Sequence, residues 1–182
     1  MKKVIMFVLG LLLIITLVLF PKLDNNNLVN INNQDSISNS ILKIKGYNSI
    51  NIVKEKKYYN YYAVIYKPSP PLDNSEENLE LLIYRKAQSF SSNNYEYYGG
   101  ATSSKNFNTF NGNEKGKETM IIVYGDNRLV KAHSYSITNS ETTYKKNIEQ
   151  DFILDIYVLR DTDNCSSVNK LYDEKEKVLD IF

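Results

Sequence analysis

Residues 119–137 read TMIIVYGDNRLVKAHSYSI, and this stretch decides the fold class that the sequence predicts. Apolar residues dominate 119–124, and apolar residues recur among polar ones along 128–137, as expected for two β-strands. Gly125-Asp126-Asn127 lies between them and consists of residue types that tolerate a tight turn with positive φ. The sequence therefore predicts a β-hairpin that turns at residues 125–127.

Strand patterns continue on both sides of this hairpin. On the C-terminal side, the sequence predicts strands at 142–148, at 152–160 (FILDIYVLR, apolar on both faces), and at 171–173 and 178–181 around the charged turn EKEK. On the N-terminal side, it predicts strands at 50–53 and 60–67, joined by a turn near Lys57–Asn60, and further strands at 79–87 and 94–99. Residues 100–118 are rich in Gly, Ser, Thr, Asn and Lys, which indicates a long exposed loop.

One amphipathic helix is predicted at residues 35–46. Asp35 or Ser36 can cap its start by accepting hydrogen bonds from free amides, and Gly46 can end it. Isoleucines at helical spacing predict its buried face: Ile37, Ile41 and Ile44. The helix and the strands together indicate an α+β fold, with one amphipathic helix and a mostly antiparallel β-sheet or sandwich.

Residues 4–20 (VIMFVLGLLLIITLVLF) form an apolar stretch without a charge. As a helix they would span about 26 Å, close to the ~30 Å hydrocarbon core of a bilayer. The sequence therefore predicts a single transmembrane helix that contacts membrane lipid through residues 4–20. It divides the chain into an anchor at 1–22, a polar stalk at 23–34 and an extracytoplasmic domain at 35–182. Cleavage as a signal peptide stays open as an alternative, although no small-x-small site closely follows the stretch.

The distribution of charge predicts orientation and excludes one class of partner. Lys2 and Lys3 precede the apolar stretch, so the positive-inside rule predicts a single-pass protein of the cell membrane with a cytoplasmic N-terminus. The chain has 22 Lys and Arg residues against 21 Asp and Glu residues, and three of the lysines lie within residues 1–22. Nucleic acid requires a concentrated basic face, so it is not an expected partner.

No motif for a cofactor, a metal ion or catalysis is present in the sequence. The single His (His133) and the single Cys (Cys165) exclude a site of several imidazoles and an internal disulfide. Residues 161–164 (DTDN) begin like a calcium loop, but the glycine and the final acidic ligand are missing. The sequence therefore predicts no cofactor, no metal site and no catalytic residue.

Tyrosine is the residue type that best suits a binding site here. The chain contains 15 Tyr residues, several of them concentrated in 58–66 and 95–98. An exposed tyrosine can stack on a sugar ring or anchor a protein interface, because it combines a large apolar area with a polar tip. Tyr61 and Tyr97 are the candidate ligand-binding residues. The alternative is that tyrosine serves only as a common strand residue.

The layout of the chain resembles that of small exported, membrane-anchored proteins of Gram-positive bacteria that belong to no characterised family. The segments that carry the resemblance, beside the basic and apolar start, are GYNSINIV (46–53), IVYGDNRLVKAHSYSI (122–137), FILDIYVL (152–159) and LYDEKEKVL (171–179). It implies a small α+β domain and no particular activity. We therefore expect a membrane-tethered domain that binds another envelope protein or a ligand. A cell-envelope enzyme with a carboxylate and tyrosine site, and a small membrane sensor subunit, are the alternatives.

Overall fold

The computed structural model describes residues 28–69, 79–88, 93–102, 106–114, 118–139, 142–160 and 167–182. Within these ranges the chain forms two helices, α1 (Gln34–Lys45) and α2 (Asn127–Val130). The strands in the same ranges are β1 (Leu28–Asn30), β2 (Ser49–Tyr58), β3 (Tyr61–Ser69), β4 (Glu80–Lys86), β5 (Asn94–Thr102), β6 (Phe107–Glu114), β7 (Glu118–Asp126), β8 (Ser134–Asn139), β9 (Thr142–Asn147), β10 (Phe152–Arg160), β11 (Ser167–Tyr172) and β12 (Val178–Ile181). The first strand lies within the stretch 23–34 that the sequence predicts as a stalk.

The strands form three antiparallel sheets. The first sheet has the order β1-β5-β4-β3-β2, the second β10-β7-β6 and the third β12-β11-β8-β9. Each sheet is built largely from hairpin neighbours, and every described strand pair is antiparallel.

The helix and the three sheets are stacked in layers, with an apolar core between each pair of neighbours. Ile37 and Ile41 of α1 pack on one face of the first sheet. The opposite face of that sheet packs on the second sheet, where Ile65 and Ile122 belong to one cluster. The other face of the second sheet packs on the third sheet, where Val123 and Tyr135 belong to one cluster.

The sequence of the inner strands explains this stacking. β3 begins with an uninterrupted apolar run, residues 61–66, whose side chains alternate between the two faces of the first sheet. Ala63 and Ile65 face the second sheet, whereas Val64 and Tyr66 face α1. β7 behaves in the same way in the second sheet. Runs of this kind are needed when both faces of a sheet are covered, because no position is left for a solvated side chain.

The predicted α+β class is wrong. Of the described residues, about 65% lie in strands and 13% in helices, so this part of the chain is a mostly antiparallel β structure. α1 confirms the predicted amphipathic helix, but its 12 residues cover only part of one sheet face.

Within the described ranges, neither helix is long and apolar enough to cross a membrane. Residues 4–20, where the transmembrane, single-pass signal-anchor was predicted, lie outside those ranges.

The predicted hairpin at 119–137 is also wrong. β7 and β8 belong to different sheets and do not pair. Asp126 accepts a hydrogen bond from the amide of Arg128 at 3.1 Å and caps the one-turn helix α2. The side chain of Asn127 then bonds both backbone groups of Ala132, at 2.8 and 3.0 Å. These bonds form a compact corner that carries the chain from the second sheet to the third.

Two further details differ from the sequence-based expectations. Residues 100–118 are not one long loop, because β5 extends to Thr102 and β6 occupies Phe107–Glu114. The strand at 152–160 is confirmed as β10 and has both faces covered, but it lies at an edge of its sheet. The hairpin near Lys57–Asn60 and the strands at 79–87, 94–99, 142–148 and 178–181 are confirmed.

Candidate binding site

The turn between β2 and β3 places a tyrosine in a strained backbone conformation. Tyr58 pairs with Tyr61 across the hairpin, so the turn consists of two residues, Tyr59 and Asn60. Tyr59 has φ 50°, a left-handed value that glycine adopts cheaply and a bulky side chain adopts at a cost of about 1–2 kcal/mol. Its side chain is 74% exposed. The turn therefore presents the Tyr59 ring to solvent.

A solvent-open cavity of about 1110 Å³ lies beside this turn. Three tyrosines line it: Tyr58, Tyr59 and Tyr61. The rings of Tyr58 and Tyr59 meet edge to face, with centroids 4.6 Å apart and planes at 88°. Val158 of β10 closes the cavity from the second sheet. The turn is held in place because Lys86 of β4 donates its amide to the carbonyl oxygen of Asn60 at 2.7 Å.

The remaining wall of the cavity carries hydrogen-bonding and charged groups from β4 and β5. Arg85 and Glu96 are directly opposite each other in the sheet and form an ion pair at 3.0 Å. The Arg85 guanidinium also lies 5.5 Å from the centre of the Tyr98 ring, which limits its orientation. Gln88 adds an exposed amide, whereas the Lys86 side chain is on the α1 face, because Lys86 pairs with Tyr95. The cavity therefore combines aromatic faces with both donors and acceptors.

The two tyrosines chosen from the sequence are not brought together. Tyr61 lines the cavity, but it is only 5% exposed and packs edge to face on Tyr98 at 5.6 Å. Tyr97 is 47% exposed and lies opposite Tyr84, whose side chain faces α1. Residues paired across two strands point to the same face. Tyr97 therefore lies on the opposite face of the first sheet from Tyr61.

Sequence reasoning missed the residues that define this site most clearly. Tyr58 and Tyr59 occur in the tyrosine-rich stretch and at the predicted turn, and an aromatic residue at a two-residue turn is the signal that could have identified them. Arg85 and Glu96 are separated along the chain, and their pairing depends on the register of β4 and β5. The strand patterns do not specify that register.

The most deeply buried carboxylates are held in internal networks away from the cavity. Glu80 is 0% exposed and accepts hydrogen bonds from Tyr47 and Tyr66, with Lys45 at 3.0 Å. Burial works to raise its pKa, but the bonds from the two tyrosines and Lys45 outweigh burial and hold the pKa below the ordinary value. Burial beside Glu80 raises the pKa of Tyr47 to about 12. Both groups therefore keep fixed ionisation states near neutral pH.

Asp126 belongs to a second internal network. It is 1% exposed and bonded to Arg128, with Lys67 at 3.6 Å. Burial would raise its pKa, but the bonds from Arg128 hold it below the ordinary value. These contacts brace the corner at α2. No group of three or more His, Cys, Asp or Glu residues in the described part of the chain could hold a metal ion.

His133 is exposed, and only its backbone is engaged in the described contacts, with Tyr172 and Ile148. It does not belong to the described lining of the cavity. Cys165 and the calcium-like stretch 161–164 lie outside the described residues.

No family model, curated protein or solved structure matches the chain significantly. The fold and the site together define a mostly antiparallel β protein with a tyrosine-lined cavity that is open to solvent.

Proposed function

We propose that the protein is a saccharide-binding domain and that the cavity beside the β2–β3 turn is its ligand site. The observation that carries the proposal is Tyr59, a bulky, exposed aromatic residue held at φ 50° over the cavity. Glycine would form the same turn with less strain. A tyrosine at this position is understandable if its ring binds a ligand.

The chemistry of the wall supports a saccharide in particular. A sugar ring has an apolar face and a rim of hydroxyl groups that both donate and accept hydrogen bonds. The tyrosine rings offer flat apolar surface, Glu96 accepts, Arg85 donates, and the amides of Asn60 and Gln88 do both. A cavity of this size accommodates an oligosaccharide of a few units.

Binding accounts for this site better than the alternative of a cell-envelope enzyme. Among the described lining residues, Glu96 is the carboxylate, and it is paired with Arg85. Glycoside hydrolysis generally uses two carboxylates that flank the scissile bond. An extracytoplasmic location, where glycans are abundant, is part of the proposal.

Calorimetric titration of the full-length chain with three tetrasaccharides tests the proposal. The probes are cellotetraose, chitotetraose and tetragalacturonate, and we expect at least one of them to bind. Tyr59→Gly should weaken that binding about tenfold, because a ring contact worth about 1.4 kcal/mol is lost. Glycine accepts the left-handed turn, so the variant should fold normally.

Tyr97→Ala is the matched control, because it removes an exposed tyrosine from the opposite face of the same sheet. We expect it to leave the affinity unchanged. The proposal is wrong if none of the three probes binds. It is also wrong if Tyr59→Gly and Tyr97→Ala have the same effect.

A further inference from the structure

A second unusual feature lies close to the cavity, where the three sheets meet. Asp155 of β10 is 7% exposed, and its Oδ1 is approached by Lys56 of β2 at 2.5 Å and by Lys146 of β9 at 2.7 Å. Its Oδ2 accepts a hydrogen bond from Tyr135 of β8 at 2.7 Å. Lys54, two residues before Lys56, binds Gln150 and the carbonyl oxygen of Phe152. We refer to Lys54, Lys56 and Lys146 as the lysine cluster.

The lysine cluster contains more positive charge than its partner neutralises. The ammonium groups of Lys56 and Lys146 share a single oxygen atom of Asp155, and Lys54 interacts electrostatically with the same carboxylate. Burial lowers the pKa of Lys54, and Lys56 and Lys146 lower it further, against the opposing effect of Asp155. Lys56 and Lys146 are 36% and 49% exposed, so an anion in solution can reach them. The surplus charge suits an anionic group of a ligand.

The lysine cluster and the cavity lie next to each other along one strand. Lys54, Lys56 and Tyr58 pair with Ile65, Ala63 and Tyr61, all of which belong to the core between the first and second sheets. The three side chains therefore lie on one face of β2, at intervals of roughly 7 Å. β10 contributes to both places from opposite faces: Val158 faces the first sheet and the cavity, whereas Asp155 faces the third sheet and is reached by Lys56 at the sheet edge.

We propose that the ligand is an acidic oligosaccharide whose sugar rings occupy the cavity and whose carboxylate reaches the lysine cluster. This inference rests on the proposed function and specifies its ligand. Tyr58 and Lys54 are about 13 Å apart along the strand, which is longer than one sugar ring. The ligand therefore has several units, and it contains at least one acidic group beyond the ring that contacts Tyr59.

The test compares two tetrasaccharides of equal length, neutral cellotetraose and acidic tetragalacturonate, at low and at high salt. We expect tetragalacturonate to bind more tightly at low salt and to lose that advantage at high salt, because exposed charges are screened. Lys146→Gln should weaken tetragalacturonate binding about three- to fivefold, the effect of losing one exposed charge pair. Lys56 still pairs with Asp155 in this variant, so the fold is preserved.

Lys145→Gln is the matched control. It makes the same charge change at the preceding residue of β9, where Lys145 contacts Glu176 and the ring of Tyr172. We expect Lys145→Gln to leave tetragalacturonate binding unchanged, and neither variant to alter cellotetraose binding. If both probes bind equally and Lys146→Gln has no effect, the acidic ligand is wrong while the saccharide cavity stands. If neither probe binds, and chitotetraose also fails, the proposed function itself is wrong.

Discussion

At the scale of single residues, Tyr59 and Glu80 illustrate two different uses of an unfavourable position. Tyr59 has a left-handed backbone conformation at an exposed turn. The ring contact described for it is with Tyr58. Glu80 buries a carboxylate completely, but three donors compensate it: Tyr47, Tyr66 and Lys45. We therefore relate the strain at Tyr59 to binding and the burial of Glu80 to stability.

Glu80 makes the stability of the fold depend on pH. Its pKa in the folded state lies below the ordinary value of 4.5, so folding favours the ionised form. The stabilisation is fully present above pH 4.5 and is lost as the pH falls towards the folded-state pKa. We expect Glu80→Gln to lower the free energy of unfolding by about 1–3 kcal/mol at pH 7, and by less at pH 3.

Urea unfolding of both proteins at pH 7 and pH 3 measures this difference. Glu149→Gln is the control, because Glu149 is exposed. A gap between wild type and Glu80→Gln that is the same at both pH values would contradict the account of Glu80.

The sequence indicates tyrosine as the residue type of the candidate site, but it does not indicate where the cavity lies. The tyrosine-rich stretch points to the region around Tyr61, which lines the cavity, whereas Tyr97 lies on another face of the sheet. Alternation along a strand specifies two faces, but the sequence does not state which face a cavity will open on. The backbone angle of Tyr59 is equally invisible, because nothing in the pair Tyr-Asn requires φ 50°.

At the scale of elements, the sequence predicted strands better than their connections. The hairpin near Lys57–Asn60 is confirmed because its two strands pair directly. The hairpin at 119–137 failed because Gly125-Asp126-Asn127 suits a helix start as well as a tight turn. Asp126 acts as the cap of α2, and the flanking strands, β7 and β8, lie in different sheets. β6 was missed because most of its residues are polar.

The start of α1 provides a test at this scale. The helix is capped by Asn33, whose Oδ1 accepts hydrogen bonds from the amides of Asp35 at 2.9 Å and Ser36 at 3.2 Å. The sequence had suggested Asp35 or Ser36 as the cap. We expect Asn33→Ala to cost about 1 kcal/mol of the free energy of unfolding. Thermal or urea unfolding measures this cost.

Gln34→Ala is the neighbouring control, since Gln34 is exposed and outside the cap. It should change the stability by less than about 0.5 kcal/mol. Equal losses in the two variants would mean that Asn33 does not act as the cap.

At the scale of the whole molecule, three sheets with separate hydrogen-bond ladders must be held in register by side chains. Most of that work is done by the apolar cores between the layers. Asp155 is the polar exception, because it binds Lys56 of the first sheet and both Tyr135 and Lys146 of the third from a strand of the second. Burial would raise its pKa, but the bonds from Lys146, Lys56 and Tyr135 hold it below the ordinary value.

Asp155→Ala should therefore destabilise the fold by about 1–3 kcal/mol, because it leaves the buried Tyr135 hydroxyl with one fewer partner and the lysines without their anion. Urea unfolding at pH 7 measures the change. Asp151→Ala is the matched control, since Asp151 is an exposed aspartate just before the same strand, and it should have an effect below about 0.5 kcal/mol. If the two variants unfold at the same urea concentration, Asp155 does not join the sheets, and packing alone sets their arrangement.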